Sequence, residues 1–246
     1  MEQLVPLVAD LAAGGLPVCV SCFLPSREVA EALMRAGADG VTLPLDAASA
    51  PVYGRVKGGS FAAALAHLER MARAFPGRVG THLIVGLGES EEEMVRLIDR
   101  LVGQGIRVGL FAFTPVAGTR MADRPPPSLE GYRRVQAAHY LIRQGLARAE
   151  EFTFAEGRLR GFGPRFPPSR LRVLLGDGEA FRTTGCPDCN RPYYNERPGQ
   201  PAPYNYPHPL EHEQAEQEVH RLLSSLEIDT RADTGTGRDE GACAGG

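Results

Sequence analysis

The chain has few of the features that would direct it to a membrane, an export pathway or a nucleic acid. No apolar run in its 246 residues approaches the roughly 20 that a membrane-spanning helix needs. The opening Met1-Glu2-Gln3-Leu4 has no cationic stretch leading into an apolar one. The expectation is a cytoplasmic protein with no membrane partner. Basic residues number 27 against 30 acidic ones, a net charge of -3, so no general electrostatic attraction favours a nucleic-acid partner. Lysine is almost missing: Lys57 is the only one. This reads as the codon bias of a GC-rich genome rather than as guanidinium chemistry. Cysteines are five, an odd number, so the disulfide framework of a small secreted protein is excluded. With 43% hydrophobic and 23% charged residues, the chain still has apolar material for one large globular core.

What is present is a repeating alternation. Apolar residues recur at helical spacing from Leu4 to Ala13, Gly14-Gly15 stops them, and an apolar run follows from Leu16 to Leu24. A helix capped by Ser26 and closed near Gly37 precedes the strand Val41 to Leu45. Helix then strand recurs as Phe61–Phe75 with Val79–Val85, and as Ser90–Val102 with Val108–Phe113. Such alternation predicts an α/β fold with a parallel sheet, as an open sheet or a barrel, and both place ligands at the carboxyl ends of the strands. Those ends are Cys22 to Pro25, Leu45-Asp46, Gly86 to Glu89 and Thr114-Pro115. A long helix is expected over Leu129–Gln144, a hairpin over Phe152–Phe162 turning at Glu156-Gly157, and a last helix over Leu210–Leu226. Between them, Phe162 to Pro209 is rich in proline, glycine and aromatics and reads as loops. The tail from Asp229 has the composition of a disordered segment.

Two constellations carry chemistry. In the first, His82 to Glu93 runs from a buried strand through Gly86-Leu87-Gly88-Glu89 into a helix start where Ser90 and Glu93 fit a capping box. The two glycines remove side chains where the backbone would pass a ligand, leaving its amide and carbonyl groups for bonding. An ordinary tight connection would look the same. In the second, Cys186-Pro187-Asp188-Cys189 lets one turn present two thiolates to one metal, a set that needs further ligands. His208, His212 and Cys243 would complete a zinc site, and a thioredoxin-like redox pair is the other alternative. Cys19 and Cys22 lie three apart on a strand and so point to opposite faces. The expectation puts Cys22 toward the site, packs Cys19 against helices, and reads both as buried free cysteines.

The strand end at Gly86 and the following Phe111-Ala112-Phe113-Thr114-Pro115 together resemble the fifth and sixth strands of radical S-adenosylmethionine enzymes of the biotin synthase and lipoyl synthase type. Cys186-Pro187-Asp188-Cys189-Asn190-Arg191-Pro192 and Tyr204-Asn205-Tyr206-Pro207 resemble the second radical subunit of the two-component lipoyl synthases of archaea and some bacteria. The resemblance implies a partial radical-SAM type βα barrel, its strands corresponding to the third to sixth, over residues 1–150. A loop-rich C-terminal extension with the CxxC site follows over 151–227, then a tail over 228–246. It implies S-adenosylmethionine as cofactor, with Ile84, Gly86, Phe113, Thr114 and Pro115 as contacts. Gly88 and Glu89 belong to the same turn. Asp46, at a neighbouring strand end, is a candidate ribose or substrate contact, or the cap of the next turn.

Cys186 and Cys189 would help hold an auxiliary iron-sulfur cluster, with Arg191 and the Tyr-Asn cluster shaping its surroundings. The implied reaction is sulfur insertion into a protein-bound octanoyl chain, in which a deoxyadenosyl radical removes hydrogen and cluster sulfur attacks the carbon radical. The implied partners are an octanoylated carrier protein or its lipoyl domain, and a companion radical subunit or N-terminal fragment. The superfamily's CxxxCxxC is absent from this sequence, so the chain is expected to be a truncated enzyme inactive by itself, with open sheet edges. A non-catalytic cofactor- or metal-binding subunit and a biotin synthase relative are the alternatives.

Overall fold

A computed structural model describes residues 3–23, 26–186, 189 and 202–226. The expected alternation is present: α1 (Leu4–Ala13), β1 (Cys19–Ser21), α2 (Arg27–Arg35), β2 (Gly40–Thr42), α3 (Ala50–Val56), α4 (Phe61–Ala74), β3 (Val79–Val85), α5 (Glu91–Gly103) and β4 (Arg107–Ala112). The four strands form one parallel sheet in the order β1-β2-β3-β4. Strand order that never reverses is that of a barrel arc, because right-handed crossovers advancing in one direction leave every helix on the same face. The fold is therefore α/β, an open arc of a βα barrel, with β1 and β4 at its edges.

Strand parity decides which side chains go where. Val20, Val41, Val79, Leu83, Val85, Val108, Leu110 and Ala112 are buried in the main core with Leu33, Leu68, Met94 and Ile98 of the helices. The alternate residues lie on the other, concave face: Cys19, Gly40, Thr42, Gly80, His82, Ile84, Arg107, Gly109 and Phe111. Expected strands Leu16–Leu24 and Val41–Leu45 are shortened to three residues each. Pro44 explains the second, since it has no N–H for the ladder. The Thr81 hydroxyl repairs the gap, donating to the Leu43 carbonyl at 2.8 Å and accepting from the Leu45 N–H at 3.0 Å.

Beyond the sheet come α6 (Leu129–Arg143), the hairpin β5 (Thr153–Ala155) and β6 (Arg158–Gly161), α7 (Pro168–Leu175) and α8 (His212–Ser225). Glu156 and Gly157 turn the hairpin at φ 51° and 74°, as the sequence predicts. Helices α3 and α7 were not expected from periodicity. Each is short and begins beside a proline, the residue that elsewhere reads as a loop. Phe162, Phe166, Leu171, Leu175 and Phe181 join the same core cluster as the strands. The expected tail falls outside the described residues, as do Asn190, Arg191 and Cys243. No helix among the described residues is long and apolar enough to cross a membrane.

The core closes on a buried ion pair. Arg133 of α6, fully buried, donates to the Glu218 carboxylate of α8 at 2.8 Å, to Gln136 Oε1 at 2.6 Å and to the carbonyls of Pro203 and Tyr204 at 2.6 and 2.5 Å. Tyr206 donates to the other Glu218 oxygen at 2.8 Å, and Tyr132 donates to Asn205 at 3.1 Å. Burial pushes the Glu218 carboxyl up, but the bond and charge of Arg133 more than offset it and hold it below the usual range.

Candidate functional site

The nominated residues separate to opposite ends of the sheet. At the carboxyl ends, Asp46 takes up φ 65° and resumes pairing with β3, its N–H donating to the His82 carbonyl and its carbonyl accepting from Ile84, both at 2.8 Å. Its carboxylate accepts from Lys57 Nζ at 2.6 Å, while Lys57 also donates to the Pro44 carbonyl at 3.0 Å. The only lysine thus ties the end of α3 to the end of β2. Ile84 and Phe113 pack with Ala47, Val52, Leu87, Tyr53 and Met121 in a small second cluster under α3. Thr114 is exposed and Pro115 half-buried beside it.

The glycine turn is clamped rather than open. The Gly86 N–H donates to Glu89 Oε1 at 2.6 Å, and its carbonyl accepts from Arg124 Nε at 2.6 Å. A side chain on Gly86 would lie 2.9 Å from the Pro127 ring, and one on Gly88 would meet the guanidinium groups of Arg55 and Arg124. The Pro127 ring requires a glycine at 86, whereas at 88 the arginine tips can swing aside and φ 123° is what favours glycine. The backbone groups of Gly86, expected to be free for S-adenosylmethionine, are satisfied within the chain, so Gly86 as placed does not fit that role. Glu89 does offer something: burial pushes its carboxyl up, and its Oε2 is buried without a partner, leaving one hydrogen-bonding position for a ligand.

The CxxC lies at the amino ends of the strands, where the carboxyl-end rule did not look. With β3 spanning Val79–Val85, the two ends are about 20 Å apart at ~3.3 Å per residue. Thr184 accepts from the Leu110 N–H at 3.0 Å, which places the incoming segment along the free edge of β4. Gly185 then turns inward over Gly109, where a side chain would lie 3.3 Å from the Thr184 carbonyl. Cys186 follows, near enough to Cys19 across the arc for the two thiols to act on each other electrostatically. Its thiol is pushed up to about 12 by burial first, then by the neighbouring sulfurs of Cys19 and Cys189, with Arg107 acting in the opposite sense. A backbone bond of 3.3 Å from the Cys189 N–H to the Cys186 carbonyl makes the expected turn.

Cys19 and Cys22 do face opposite ways, but with the roles exchanged. Cys22 packs against the main core and its thiol is pushed up by burial, while Cys19 meets Cys186 on the concave face. Val18 and Val20 share the parity of Cys22, and this sequence signal would have assigned the faces correctly. Cys186 and Cys189 line a cavity of about 450 Å³ with Arg107, Arg143, Arg182 and His139. His139 is 2% exposed and its Nε2 has no partner; burial holds its pKa down at about 3. Nothing in the sequence nominated it, because a lone histidine on a helix carries no motif. Among the described residues no group of three or more His, Cys, Asp or Glu side chains is assembled for a metal ion. His208 and His212 therefore do not complete a zinc set with the pair. The donor type fits a thiophilic centre, whereas the assembled number does not yet close one.

Residues 2–101 match the Radical SAM superfamily. The radical SAM match runs from α1 into α5 and takes in Cys19, Asp46, Ile84, Gly86, Gly88 and Glu89. Phe113, Thr114, Pro115, Cys186 and Cys189 lie beyond it. A curated relative, the ribosomal protein uS12 methylthiotransferase of Alteromonas mediterranea, is 44% identical over 64 residues, 25% of this chain and 13% of its own length. The chain thus spans about an eighth of that relative. Among solved structures, hydroxymethylglutaryl-CoA lyases of Brucella melitensis and Pseudomonas aeruginosa superpose with TM-scores of 0.37 and 0.38 at 17% and 21% identity. They cover 56% and 53% of this chain, and 48% and 44% of their own.

Proposed function

We propose that the chain serves a radical S-adenosylmethionine enzyme of the lipoyl synthase type, which inserts sulfur into a protein-bound octanoyl chain. The observation that carries the reading is the return of the Thr184–Cys186 segment to the edge of β4, where Cys186 lines a cavity with Arg107, in a chain whose residues 2–101 match the Radical SAM superfamily. The methylthiotransferase named among its relatives is also a sulfur-transferring protein, which supports the class of chemistry. S-adenosylmethionine and iron-sulfur clusters would supply the radical and the sulfur. This chain's residues would hold the sulfur-bearing centre through Cys186 and Cys189 and wall the carboxyl ends with Ile84 and Phe113. Asp46 would fix the approach of α3 through Lys57. The sequence contains no CxxxCxxC, so the radical cluster would come from a companion radical subunit or another segment.

The test combines the full chain with such a companion, S-adenosylmethionine and an octanoylated lipoyl domain under anaerobic conditions. Expected are 5'-deoxyadenosine and a sulfur-dependent mass gain on the domain, both absent without this chain. Formation of 5'-deoxyadenosine with sulfur appearing on a different substrate would overturn the lipoyl assignment. The satisfied backbone of Gly86 favours one other reading, a metal-binding subunit without a cofactor of its own. Equilibrium dialysis against labelled S-adenosylmethionine separates the two.

A further inference from the structure

We propose that the cavity at the amino end of β4 binds a small organic anion, a molecule whose carboxylate or phosphate group is held by Arg107, Arg182 and His139. The inference goes beyond the sulfur-insertion reading, because it is drawn from nitrogen donors rather than from the thiols. At about 450 Å³ the cavity has the size of a small-molecule site rather than of a seat for a bare ion. Its walls come from the connection between α5 and β4, from α6 and from the segment that carries Glu179 and Arg182. Two lining side chains have a buried nitrogen without a partner among the described residues, Nε2 of His139 and Nε of Arg182. His139 is 2% exposed, so bulk solvent does not reach it. Buried polar groups are nearly always paired, and two orphans in one cavity point to a ligand.

The charge balance selects the sign of that ligand. Arg143 and Arg182 share one carboxylate, Glu179, at 3.9 and 2.6 Å, and Arg107 brings a third guanidinium to the cavity. Helices α5 and α6 end beside it, and each carboxyl end contributes roughly half a negative charge. Three guanidinium groups against one carboxylate and about one unit of dipole charge leave roughly +1 for a ligand to neutralise. Arg182 donates to Glu179 from Nη1, so its Nε remains for an anion oxygen, and planar guanidinium groups suit both carboxylate and phosphate. Val102 and Ile106 supply an apolar wall for the body of the molecule. A side chain on Gly105, at the turn into β4, would meet nothing within 4 Å, so the cavity is open on that side.

The experiment titrates the full 246-residue chain with butyl phosphate, butyrate and uncharged butyramide, three molecules with the same body and different head groups. Calorimetry reads binding, and NMR of histidine-labelled protein reads the His139 ring nitrogens. Saturable binding of butyl phosphate or butyrate that shifts the His139 Nε2 resonance supports the site, and the tighter of the two identifies the head group. Each charge-assisted bond lost should raise the dissociation constant at least about 10-fold, in Arg107→Gln and in Arg182→Gln alike. Arg70→Gln, in a separate basic groove with Arg27 and Arg73, should leave it unchanged. Circular dichroism checks that the variants are folded. Arg107 is in no ion pair among the described residues, so Arg107→Gln still decides the matter if Arg182→Gln unfolds by releasing Glu179. Butyramide bound as tightly as butyrate overturns the anionic assignment. No saturable binding of either anion at millimolar concentration overturns the site. So does binding that survives both arginine variants or leaves the His139 resonance in place, because the anion then sits elsewhere.

Discussion

Single residues here often do something other than what their type suggests. Thr81 stands in for the backbone at the one position where Pro44 cannot donate, and Lys57 is a latch on Asp46 rather than a reactive amine. His139 is the clearest case for a pH effect. Its pKa is held at about 3 against an ordinary 6.5, so below pH 6.5 the unfolded chain takes up a proton that the folded chain refuses. Stability should then fall as pH drops from about 6.5 toward 3, by up to about 1.4 kcal/mol per pH unit from this group. Urea unfolding of His139→Gln between pH 7 and 5 should show a flatter dependence; an unchanged slope would mean that the histidine is not kept neutral. None of this was visible in the sequence, because burial of a helical histidine depends on what packs over it.

Among the elements, turns and caps were the most legible parts. The sequence pattern Ser90 to Glu93 is a capping box in the structure, with the Ser90 hydroxyl accepting from the Glu93 N–H at 3.1 Å and the Glu93 carboxylate accepting from the Ser90 N–H at 2.8 Å. Ser90→Ala should cost about 1 kcal/mol, measured by denaturant unfolding. Glycines separate by environment. Gly105, at φ 72° in open space, should lose only about 1–2 kcal/mol as Gly105→Ala. Gly86, at φ 104° with Pro127 2.9 Å from a built side chain, should lose about 1–3 kcal/mol more as Gly86→Ala. Equal losses for the two would show that Pro127 yields. The faces of β1 were misassigned because the site was given to the cysteine nearer the carboxyl end, when the parity of Val18 and Val20 governs which side meets the helices.

For the whole molecule, the Arg133–Glu218 pair decides how the C-terminal segment is held. Tyr204, Asn205 and Tyr206, expected beside the cluster or the substrate, are instead fastened to α6 and α8. Arg133→Met should cost up to about 3–5 kcal/mol by leaving buried Glu218 with only the Tyr206 hydroxyl and the more distant Arg221 at 3.4 Å, and combining it with Glu218→Gln should recover part of that loss. Because the Glu218 carboxyl is held below its ordinary 4.5, its contribution is present above that pH and is lost as acid carries the pH down through the lowered value. Melting temperatures of both variants at neutral pH check the coupling; an additive loss would mean that the two do not act as a pair. Leu7, Leu11, Leu16 and Phe23 remain exposed around α1 and the β1 edge, in line with an arc whose outer edge is unpaired among the described residues.

The sequence by itself determined the alternation of helices and strands, the capped turn after β3, the hairpin and the presence of a two-thiol turn, since each depends on periodicity or local backbone chemistry within a few residues. Only the tertiary structure decided that the thiol turn comes to the amino ends of the strands, that Cys19 rather than Cys22 meets it, and that Gly86 is already satisfied. Those outcomes depend on contacts between residues far apart in the chain; strand parity encodes which face Cys19 takes, but no local pattern encodes what comes to meet that face.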